Sequence, residues 1–286
     1  MKKPKIIIGI IIIAIMLMLL VWGNNSIVVT NIKYNNSKIP SEFNGYRILQ
    51  VSDVHNKQFG KNQSKLVDKI KKCNPDIIVI TGDLLDDAKY DVDKALGITI
   101  EFINSITEIA PVYYVSGNHE LMTGEYEKIK QELTKANVTV LDNDKVVLSK
   151  NEQSINLLGL LDPAFYYKYY GYPLETRISK LESELQELSN GDDSFKILLS
   201  HRPELMDIYA KNNIDVVLAG HAHGGQIRIP FIGAITAPNQ GWFPKYSDGE
   251  YRENNTTMIV SRGLGASVVP IRVFNRPELI LLELGK

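Results

Sequence analysis

Cysteine is nearly absent from this sequence, and an excess of positive charge is missing as well. Cys73 is the only cysteine among 286 residues, which excludes an intramolecular disulfide and a cysteine-built zinc or iron–sulfur site. Any metal would therefore be bound by histidine and by oxygen ligands. The 32 Lys and Arg residues are balanced by 33 Asp and Glu residues. A chain with this balance has no overall field that attracts nucleic acid, and we expect no nucleic-acid partner.

Internal repeats, low-complexity tracts and long linkers are also absent from the sequence. Hydrophobic residues make up 44% of the chain and charged residues 23%, which are ordinary values for folded proteins and exclude wholesale disorder. Together these features favour one continuous domain with a large core.

One long hydrophobic run stands at the N-terminus. Residues 6–22 are apolar apart from the small residues Gly9 and Ala14, and as a helix they would reach about 26 Å, enough to cross a bilayer. A core helix of this length would have a polar face, and this segment has none. We therefore predict that residues 1–23 form a transmembrane signal anchor and that residues 24–286 form the folded domain.

The lysines around this run predict its orientation. Lys2, Lys3 and Lys5 precede the run, and the next lysine is Lys33. Because positive residues accumulate on the cytoplasmic side of membrane helices, we predict a cell-membrane protein with a cytoplasmic N-terminus and an extracytoplasmic domain. A cleaved signal peptide is the alternative, since residues 21–23 form a passable cleavage site.

Beyond the anchor, short apolar runs alternate with segments of helical spacing, which predicts an α/β core. The runs that indicate buried strands are 47–52, 77–81, 112–115, 196–199 and 216–219. The segments with helical spacing are 62–73, 92–108, 125–136, 174–188 and 203–211. Further strands are predicted at 138–148, 154–160, 227–229, 258–261 and 279–282. Because no long helices separate most of these, we expect a second sheet or an antiparallel half.

Each of the five buried strands runs into a polar cluster. In chain order the clusters are Ser52-Asp53-Val54-His55, Gly82-Asp83, Gly117-Asn118-His119-Glu120, Ser200-His201 and Gly220-His221-Ala222-His223. All five histidines of the chain fall within them. Ligands of open α/β sheets bind at the carboxyl ends of the strands, so these side chains can meet in one crevice. The pattern indicates a binuclear metal site.

This ordered series resembles the calcineurin-like metallophosphoesterase superfamily. The surrounding residues are similar to a branch of membrane-anchored or exported bacterial phosphoesterases, and the likeness covers about residues 27–286. They are Gly45-Tyr46-Arg47-Ile48, His223-Gly224-Gly225-Gln226, Ser261-Arg262-Gly263-Leu264-Gly265 and Arg276-Pro277-Glu278. The resemblance implies a two-sheet αββα sandwich and a metal-dependent phosphohydrolase.

The resemblance also implies a role for each matched residue. One divalent ion would be bound by Asp53, His55 and His223, and a second by Asn118, His201 and His221. Asp83 would bridge the two ions, and His119 would protonate the leaving oxygen. Mixed nitrogen and oxygen ligands suit Mn, Fe or Zn. The purple acid phosphatases carry a metal-bound tyrosine after their Gly-Asp block, and Leu84 to Asp87 offer none.

The function implied is hydrolysis of a phosphodiester, phosphomonoester or pyrophosphate bond in a small-molecule or lipid-linked substrate of the membrane or envelope. One alternative is a pyrophosphatase of the UDP-2,3-diacylglucosamine type, which would need a cytoplasmic site. Another is a non-catalytic scaffold with the same fold. Chelator-sensitive diester hydrolysis and metal content separate the hydrolase from the scaffold, and the sequence makes no prediction of oligomeric state.

Several residues near the motifs allow two interpretations. Asp86 and Glu120 would either orient a histidine N–H or lie solvated beside a loop. Arg262 would hold a substrate phosphate or pair with a carboxylate. The aromatic stretch 165–172 would cover the site, contact lipid or pack as a loop, and the same choice applies to Trp242, Phe243 and Tyr246. Cys73 is expected to be a core residue.

Overall fold

The computed structural model describes residues 3–86, 91–191, 193–266 and 271–286. The helices are α1 (Lys3–Asn25), α2 (Ser64–Cys73), α3 (Val92–Thr107), α4 (Asn118–Met122), α5 (Tyr126–Lys135), α6 (Ala164–Tyr170), α7 (Leu174–Ser189) and α8 (Met206–Lys211). The larger strands are β1 (Val28–Asn35), β2 (Arg47–Val51), β3 (Ile77–Thr81), β4 (Val112–Val115), β5 (Val138–Val140), β6 (Asp144–Lys150), β7 (Gln153–Gly159), β8 (Lys196–Leu199) and β9 (Val216–Ala219). They continue with β10 (Arg228–Ile229), β11 (Gly233–Ala234), β12 (Thr236–Ala237), β13 (Gly241–Trp242), β14 (Gly249–Glu253), β15 (Thr256–Val260) and β16 (Glu278–Gly285).

The predicted N-terminal helix is present as α1 and ends at Asn25, two residues beyond the predicted boundary. In the described part of the chain, residues 7–25 form a helix with a mean hydropathy of 2.6, none of it buried, which by length and composition can cross a membrane. Lys2, one of the lysines used to predict orientation, lies outside the described residues.

Two six-stranded sheets form the body. The order in the first sheet is β1-β16-β2-β3-β4-β5, and in the second it is β14-β15-β9-β8-β7-β6. Strands β2 to β5 run parallel, as do β7, β8, β9 and β15. Antiparallel pairs occur where β16 meets β2 and at the β14 and β6 edges of the second sheet. The short hairpins β10–β11 and β12–β13 lie outside both sheets.

A layer of buried side chains joins the two sheets, and further layers cover their outer faces. Ile48 of β2 packs in the same cluster as Ile197 of β8, whereas the next residue, Leu49, packs on the other face with Leu66 of α2. Strands buried on both faces read as continuous apolar runs because neither set of alternating side chains meets water. This arrangement confirms the predicted two-sheet α/β sandwich, and Cys73 is a buried residue of the α2 layer as predicted.

Most predicted elements are present with small changes at their ends. The run 138–148 is divided into β5 and β6 because Asn143, with a φ of 54°, forms a turn between them. In the segment 227–229, Arg228 and Ile229 form β10, and Ile227 makes an isolated bridge to Val273. The elements that were not predicted are strands β1, β11, β12, β13 and β14 and helices α4 and α6, because each is short or is stabilised by pairing with a distant segment.

Candidate metal centre

The strands predicted to carry the polar clusters end at one place in the fold. β2, β3 and β4 of the first sheet and β8 and β9 of the second bring their carboxyl ends together there. The side chains delivered to this place are all buried: Asp53, His55, Asp83, Asn118, His201, His221 and His223. Convergence of parallel strand ends is the usual origin of a ligand crevice in α/β proteins.

The backbone around these side chains is held in a sparsely populated conformation. Asp53, Asp83 and His221 have φ values of 51°, 53° and 64°, a region that side-chain-bearing residues seldom adopt. Neighbouring glycines make room for the turns. A Cβ on Gly117 would lie 2.2 Å from Asp83 Oδ1, and one on Gly220 would lie 2.1 Å from Ser52 Oγ. Such local strain concentrates at functional sites.

The first group of candidate ligands consists of Asp53, His55, Asp83 and His223, whose ligand atoms lie within 4.8 Å of one another. His55 Nε2 is 3.2 Å from His223 Nε2 and 3.6 Å from Asp83 Oδ2. His223 Nε2 is 3.3 Å from Asp53 Oδ1. The four side chains therefore surround one small volume.

The second group consists of Asp83, His201 and His221. His201 Nε2 is 3.2 Å from Asp83 Oδ2 and 3.1 Å from His221 Nδ1. Asp83 belongs to both groups, so its carboxylate lies between two sets of candidate ligands.

The spacing of these atoms fits metal coordination. Ligand atoms about 2.1 Å from one ion, at angles between 90° and 110°, are about 3.0 to 3.4 Å apart, close to the separations in both groups. Nitrogen atoms held this close without an ion between them would gain little, because at most one hydrogen bond joins each pair.

The hydrogen bond behind the His201 ring and the buried amide oxygen of Asn118 support the same fit. His201 Nδ1 donates to the carbonyl oxygen of Thr81 at 2.7 Å, which orients the ring with Nε2 facing the site, where a metal ion would take the place of the Nε2 proton. Asn118 Oδ1 is a buried acceptor without a hydrogen-bond partner among the described residues. A buried amide oxygen in that state is suited to a metal ion.

Burial and charge pairing determine the titration of these groups. Burial raises the pKa of Asp53 to about 6 and lowers the pKa of His55 to about 3. Burial also opposes the ionisation of Asp83, but the positive charge of His201 holds the pKa of Asp83 well below its usual range. Likewise burial opposes the charging of His201, and Asp83 nevertheless raises the His201 pKa to about 10. The Asp83 carboxylate is thus anionic and depends on nearby positive charge.

Glu120 supports the loop that carries Asp83, and neither predicted interpretation of Glu120 is correct. Its buried Oε2 accepts hydrogen bonds from the backbone N–H groups of Asp83, at 3.0 Å, and Gly117, at 2.9 Å. Its Oε1 accepts from the backbone N–H of Leu84 at 2.6 Å. The partners are backbone groups, so Glu120 is neither a solvated residue nor an orienter of a histidine. For Asp86, the described contact is a hydrogen bond from its backbone N–H to Asn56 Oδ1 at 2.8 Å, and Asp87 lies outside the described residues.

Arg202 and Asp162 form a buried ion pair beside His221 that sequence reasoning missed. Arg202 Nη2 donates to Asp162 Oδ1 at 2.9 Å and Nε donates to Oδ2 at 2.5 Å. Arg202 Nη1 lies 2.8 Å from His221 Nε2, and Asn239 Nδ2 lies 3.1 Å from the same atom. The sequence signal was the position of Arg202, directly after His201. Arg202 and Asn239 thus contact His221 on the Nε2 side of its ring, and His221 Nδ1 faces His201 Nε2.

His119 lies at the edge of the centre and differs from the other histidines in being partly exposed. Its backbone N–H donates to Asp83 Oδ1 at 2.9 Å. Its ring makes an edge-to-face contact with His55, with centroids 4.6 Å apart. His119 therefore stands beside the candidate ligands and belongs to neither group.

The remaining candidates of the sequence analysis have other roles. Arg262 pairs with a carboxylate, since its Nη2 is 2.8 Å from Glu278 Oε1. The aromatic stretch forms helix α6, in which Phe165 and Tyr166 are buried and Tyr170 is exposed. Tyr246 is buried as well.

Comparison with known proteins agrees with this arrangement. A family model described as calcineurin-like phosphoesterase matches residues 46–225, the part of the chain from β2 to the last histidine. The uncharacterized metallophosphoesterase YkuE of Bacillus subtilis is 31% identical over 251 residues, which cover 87% of this chain and 82% of YkuE. The chain belongs to the calcineurin-like metallophosphoesterases. The sequence resemblance is thereby confirmed, and members of this family typically bind divalent metal ions.

Other relatives extend the comparison of this metallophosphoesterase. The phosphodiesterase YaeI of Escherichia coli is 27% identical, over 84% of this chain and 82% of YaeI. A Danio rerio transmembrane protein with a metallophosphoesterase domain is 26% identical, over 85% of this chain and 54% of that longer protein. The structure of TT1561 of Thermus thermophilus has the same fold, with a TM-score of 0.50 and 15% identity over 77% of this chain and 90% of TT1561. The α1 helix and the transmembrane relative both favour membrane anchoring.

Proposed function

We propose that the protein is a membrane-tethered phosphoesterase with a binuclear metal centre. The observation that carries this proposal is the shared position of Asp83, whose Oδ2 lies 3.6 Å from His55 Nε2 in one ligand group and 3.2 Å from His201 Nε2 in the other. Two cations close to each other need an anionic ligand between them, and Asp83 is buried, ionised and held there by Glu120.

The proposed ligand assignment uses all seven buried side chains of the centre. Asp53, His55 and His223 would hold one ion. Asn118, His201 and His221 would hold the other, with Asp83 bridging both. Two divalent ions in such a site activate water and neutralise the charge of a phosphate that undergoes in-line displacement. Retention of every ligand position supports a hydrolase over a non-catalytic scaffold.

The protein's own groups would divide the remaining work. Arg202, Asp162 and Asn239 keep the His221 ring in one orientation, and the Thr81 carbonyl does the same for His201. His119 is not required as a ligand and is partly exposed, so we assign it the transfer of a proton to the leaving oxygen. Arg262 is engaged by Glu278 and is not assigned to the substrate.

The substrate we propose is a phosphodiester, phosphomonoester or pyrophosphate that is part of a membrane or envelope component. Helix α1 supports this class, because it would hold the catalytic body beside the bilayer. We further propose that the body faces the extracytoplasmic side, as the lysines near the N-terminus predict.

The activity can be tested with the full-length protein in detergent. The purified protein would be stripped with chelator, reloaded with Mn²⁺, and offered a panel of p-nitrophenyl monoester, bis-p-nitrophenyl phosphate and a lipid pyrophosphate. We expect turnover of at least one member that disappears with chelator and returns with metal. Asp83→Ala should be inactive on the same substrate. Turnover that survives chelation, or that persists in Asp83→Ala, would overturn the proposal.

A further inference from the structure

Large apolar side chains are exposed on two short hairpins and a neighbouring segment of the body. We call this set the apolar patch, and its members are Ile229, Phe231, Ile232, Trp242, Phe243 and Phe274. Ile229, Phe231, Ile232 and Phe274 line one open cavity of about 360 Å³, so they are neighbours in space. The second hairpin adjoins the first, because Phe243 N–H donates to the carbonyl oxygen of Ile235, whose own N–H donates to Ile227.

The patch is too exposed and too strained to be an ordinary surface. The Phe231 side chain is fully exposed, at 109% of its reference area, and Phe274 is 74% exposed. Phe231, Phe243 and Phe274 also have positive φ values, of 70°, 53° and 51°. A bulky residue in the left-handed region costs energy, and a contiguous exposed apolar surface marks a contact site.

The end of the anchor helix is bonded to the segment that carries Phe274. Asn24 Nδ2 donates to the carbonyl oxygen of Arg272 at 2.8 Å, and the Arg272 N–H donates back to Asn24 Oδ1 at 2.8 Å. Val273, the next residue, exchanges backbone hydrogen bonds with Gln226 and Arg228 at the base of the first hairpin. The segment that carries Phe274 is therefore hydrogen-bonded to the last turn of α1, just after the apolar run.

Trp22 indicates the level of the membrane surface relative to the patch. Tryptophan at the end of a membrane helix lies at the headgroup level. The guanidinium of Arg276 stands 4.6 Å from the centre of the Trp22 ring. Phe274 is two residues from Arg276, and two residues span at most about 7 Å. Phe274 is also two residues from Arg272, which is hydrogen-bonded to Asn24, so the patch begins next to the end of α1 that carries Trp22.

We propose that the apolar patch is a second membrane-contact surface that inserts its phenylalanine and tryptophan side chains into the bilayer interface beside α1. The inference rests on the tether of the proposed function. Continuity with α1 favours lipid over a protein partner as the occupant. Aromatic residues accompanied by basic ones are typical of interfacial surfaces, and Lys245, two residues after Phe243, is exposed.

The contact would place the metal centre at the lipid surface. The first hairpin begins a few residues after His223 and is tied to that turn by Arg228 Nη1, which donates to the carbonyl oxygen of Gly224 at 3.1 Å. The second hairpin carries Asn239, which lies 3.1 Å from His221 Nε2. The patch is thus at the rim of the centre, within reach of phosphates linked to lipid.

The two tryptophans of the chain make the test direct. In full-length Trp22→Phe the only tryptophan is Trp242, within the patch. This variant would be reconstituted into phosphatidylcholine vesicles that carry bromine either near the headgroup end or near the methyl end of one acyl chain. We expect Trp242 emission to be quenched, and most strongly by the headgroup-proximal bromine. Phe231→Asp with Phe274→Asp in the same background should reduce the quenching.

The matched control moves the tryptophan to β6, an edge strand of the second sheet. In Trp22→Phe/Trp242→Phe/Val147→Trp, the new side chain lies on exposed β6, across the second sheet from β14, and should be insensitive to bromine. Protein that floats with the vesicles while Trp242 is quenched no more than Trp at position 147 would overturn the contact surface and leave the tether intact. It would assign the patch to a protein partner. Protein that does not float at all would overturn the tether and the contact surface together.

Discussion

Glu120 Oε2 accepts a hydrogen bond from the backbone N–H of Asp83 at 3.0 Å. The buried Glu120 carboxylate thereby fixes the loop that presents Asp83, and it accepts from Gly117 and Leu84 as well. This contact connects the Gly-Asn-His-Glu cluster of β4 with the Gly-Asp cluster of β3. The carboxyl end of β4 thus supplies the candidate ligand Asn118 and, through Glu120, also supports the loop after β3.

We expect Glu120→Gln to weaken metal binding, because the new amide would direct an N–H₂ group at backbone N–H donors. Loss of such supporting contacts typically lowers metal affinity by about 10-fold to 100-fold. Metal titration of the stripped protein would measure the change. The exposed Glu101→Gln should bind metal like the parent protein. Equal affinity in the Glu120 and Glu101 variants would contradict the supporting role.

We expect Asp83→Ala to lower the bound metal from two ions toward one or none, since it removes the carboxylate shared by both ligand groups. Elemental analysis after dialysis gives the stoichiometry directly. Asp68→Ala, on the exposed side of α2, is the control and should retain the parent content. Two ions still bound in Asp83→Ala would remove Asp83 from the bridging position.

The proton-transfer role of His119 predicts a dependence on the leaving group. His119→Asn should lose about 10²-fold to 10⁴-fold activity on an alkyl diester, whose alkoxide needs a proton to leave. The loss on a p-nitrophenyl diester should be much smaller because p-nitrophenolate is weakly basic. Metal content should stay at that of the parent protein. An equal loss on both substrates, or loss of an ion, would contradict the assignment.

The carboxyl group of Asp142, which belongs to neither group of candidate ligands, should make the stability of the protein depend on pH. It accepts hydrogen bonds from Tyr126 Oη and from Ser116, and burial raises its pKa from 3.8 to about 7. The native state therefore keeps a proton that the unfolded chain releases, so the free energy of unfolding should fall as pH rises from about 4 to about 7. Asp142→Asn should remove that fall, which for a shift of this size amounts to about 4 kcal/mol.

Chemical denaturation at several pH values would measure this slope. Asp144→Asn, an exposed substitution two residues along, should keep the slope of the parent protein. An unchanged slope in Asp142→Asn would mean that Asp142 titrates alike in the native and unfolded states.

The orientation of the body can be measured with one engineered cysteine. Cys73 is buried, and replacing it by serine leaves Val147→Cys on exposed β6 as the only thiol. We expect a membrane-impermeant maleimide to label this thiol in intact cells. Labelling that requires permeabilised cells would place the body in the cytoplasm and would restore the UDP-2,3-diacylglucosamine-type pyrophosphatase as the leading alternative.

Local sequence patterns predicted the strands and the positions of the candidate ligands. The apolar runs at 77–81, 112–115, 196–199 and 216–219 coincide with β3, β4, β8 and β9. These strands are buried on both faces, so their composition alone marks them. The same strand boundaries predicted that the histidines and carboxylates directly after the strands would lie at their carboxyl ends.

Contacts between distant residues could not be predicted in this way. Strand β1 is formed by pairing with β16 at the other end of the chain, and its own composition gives only a weak signal. The hydrogen bonds from Arg202 to Asp162 and from Asn24 to the Arg272 segment join residues that are 40 and 248 positions apart. The sequence by itself determined which side chains could bind metal and that an apolar helix precedes them. Only the tertiary structure decided that Glu120 supports the Asp83 loop and that the exposed phenylalanines lie beside the anchor, because side-chain partners depend on how the two sheets pack.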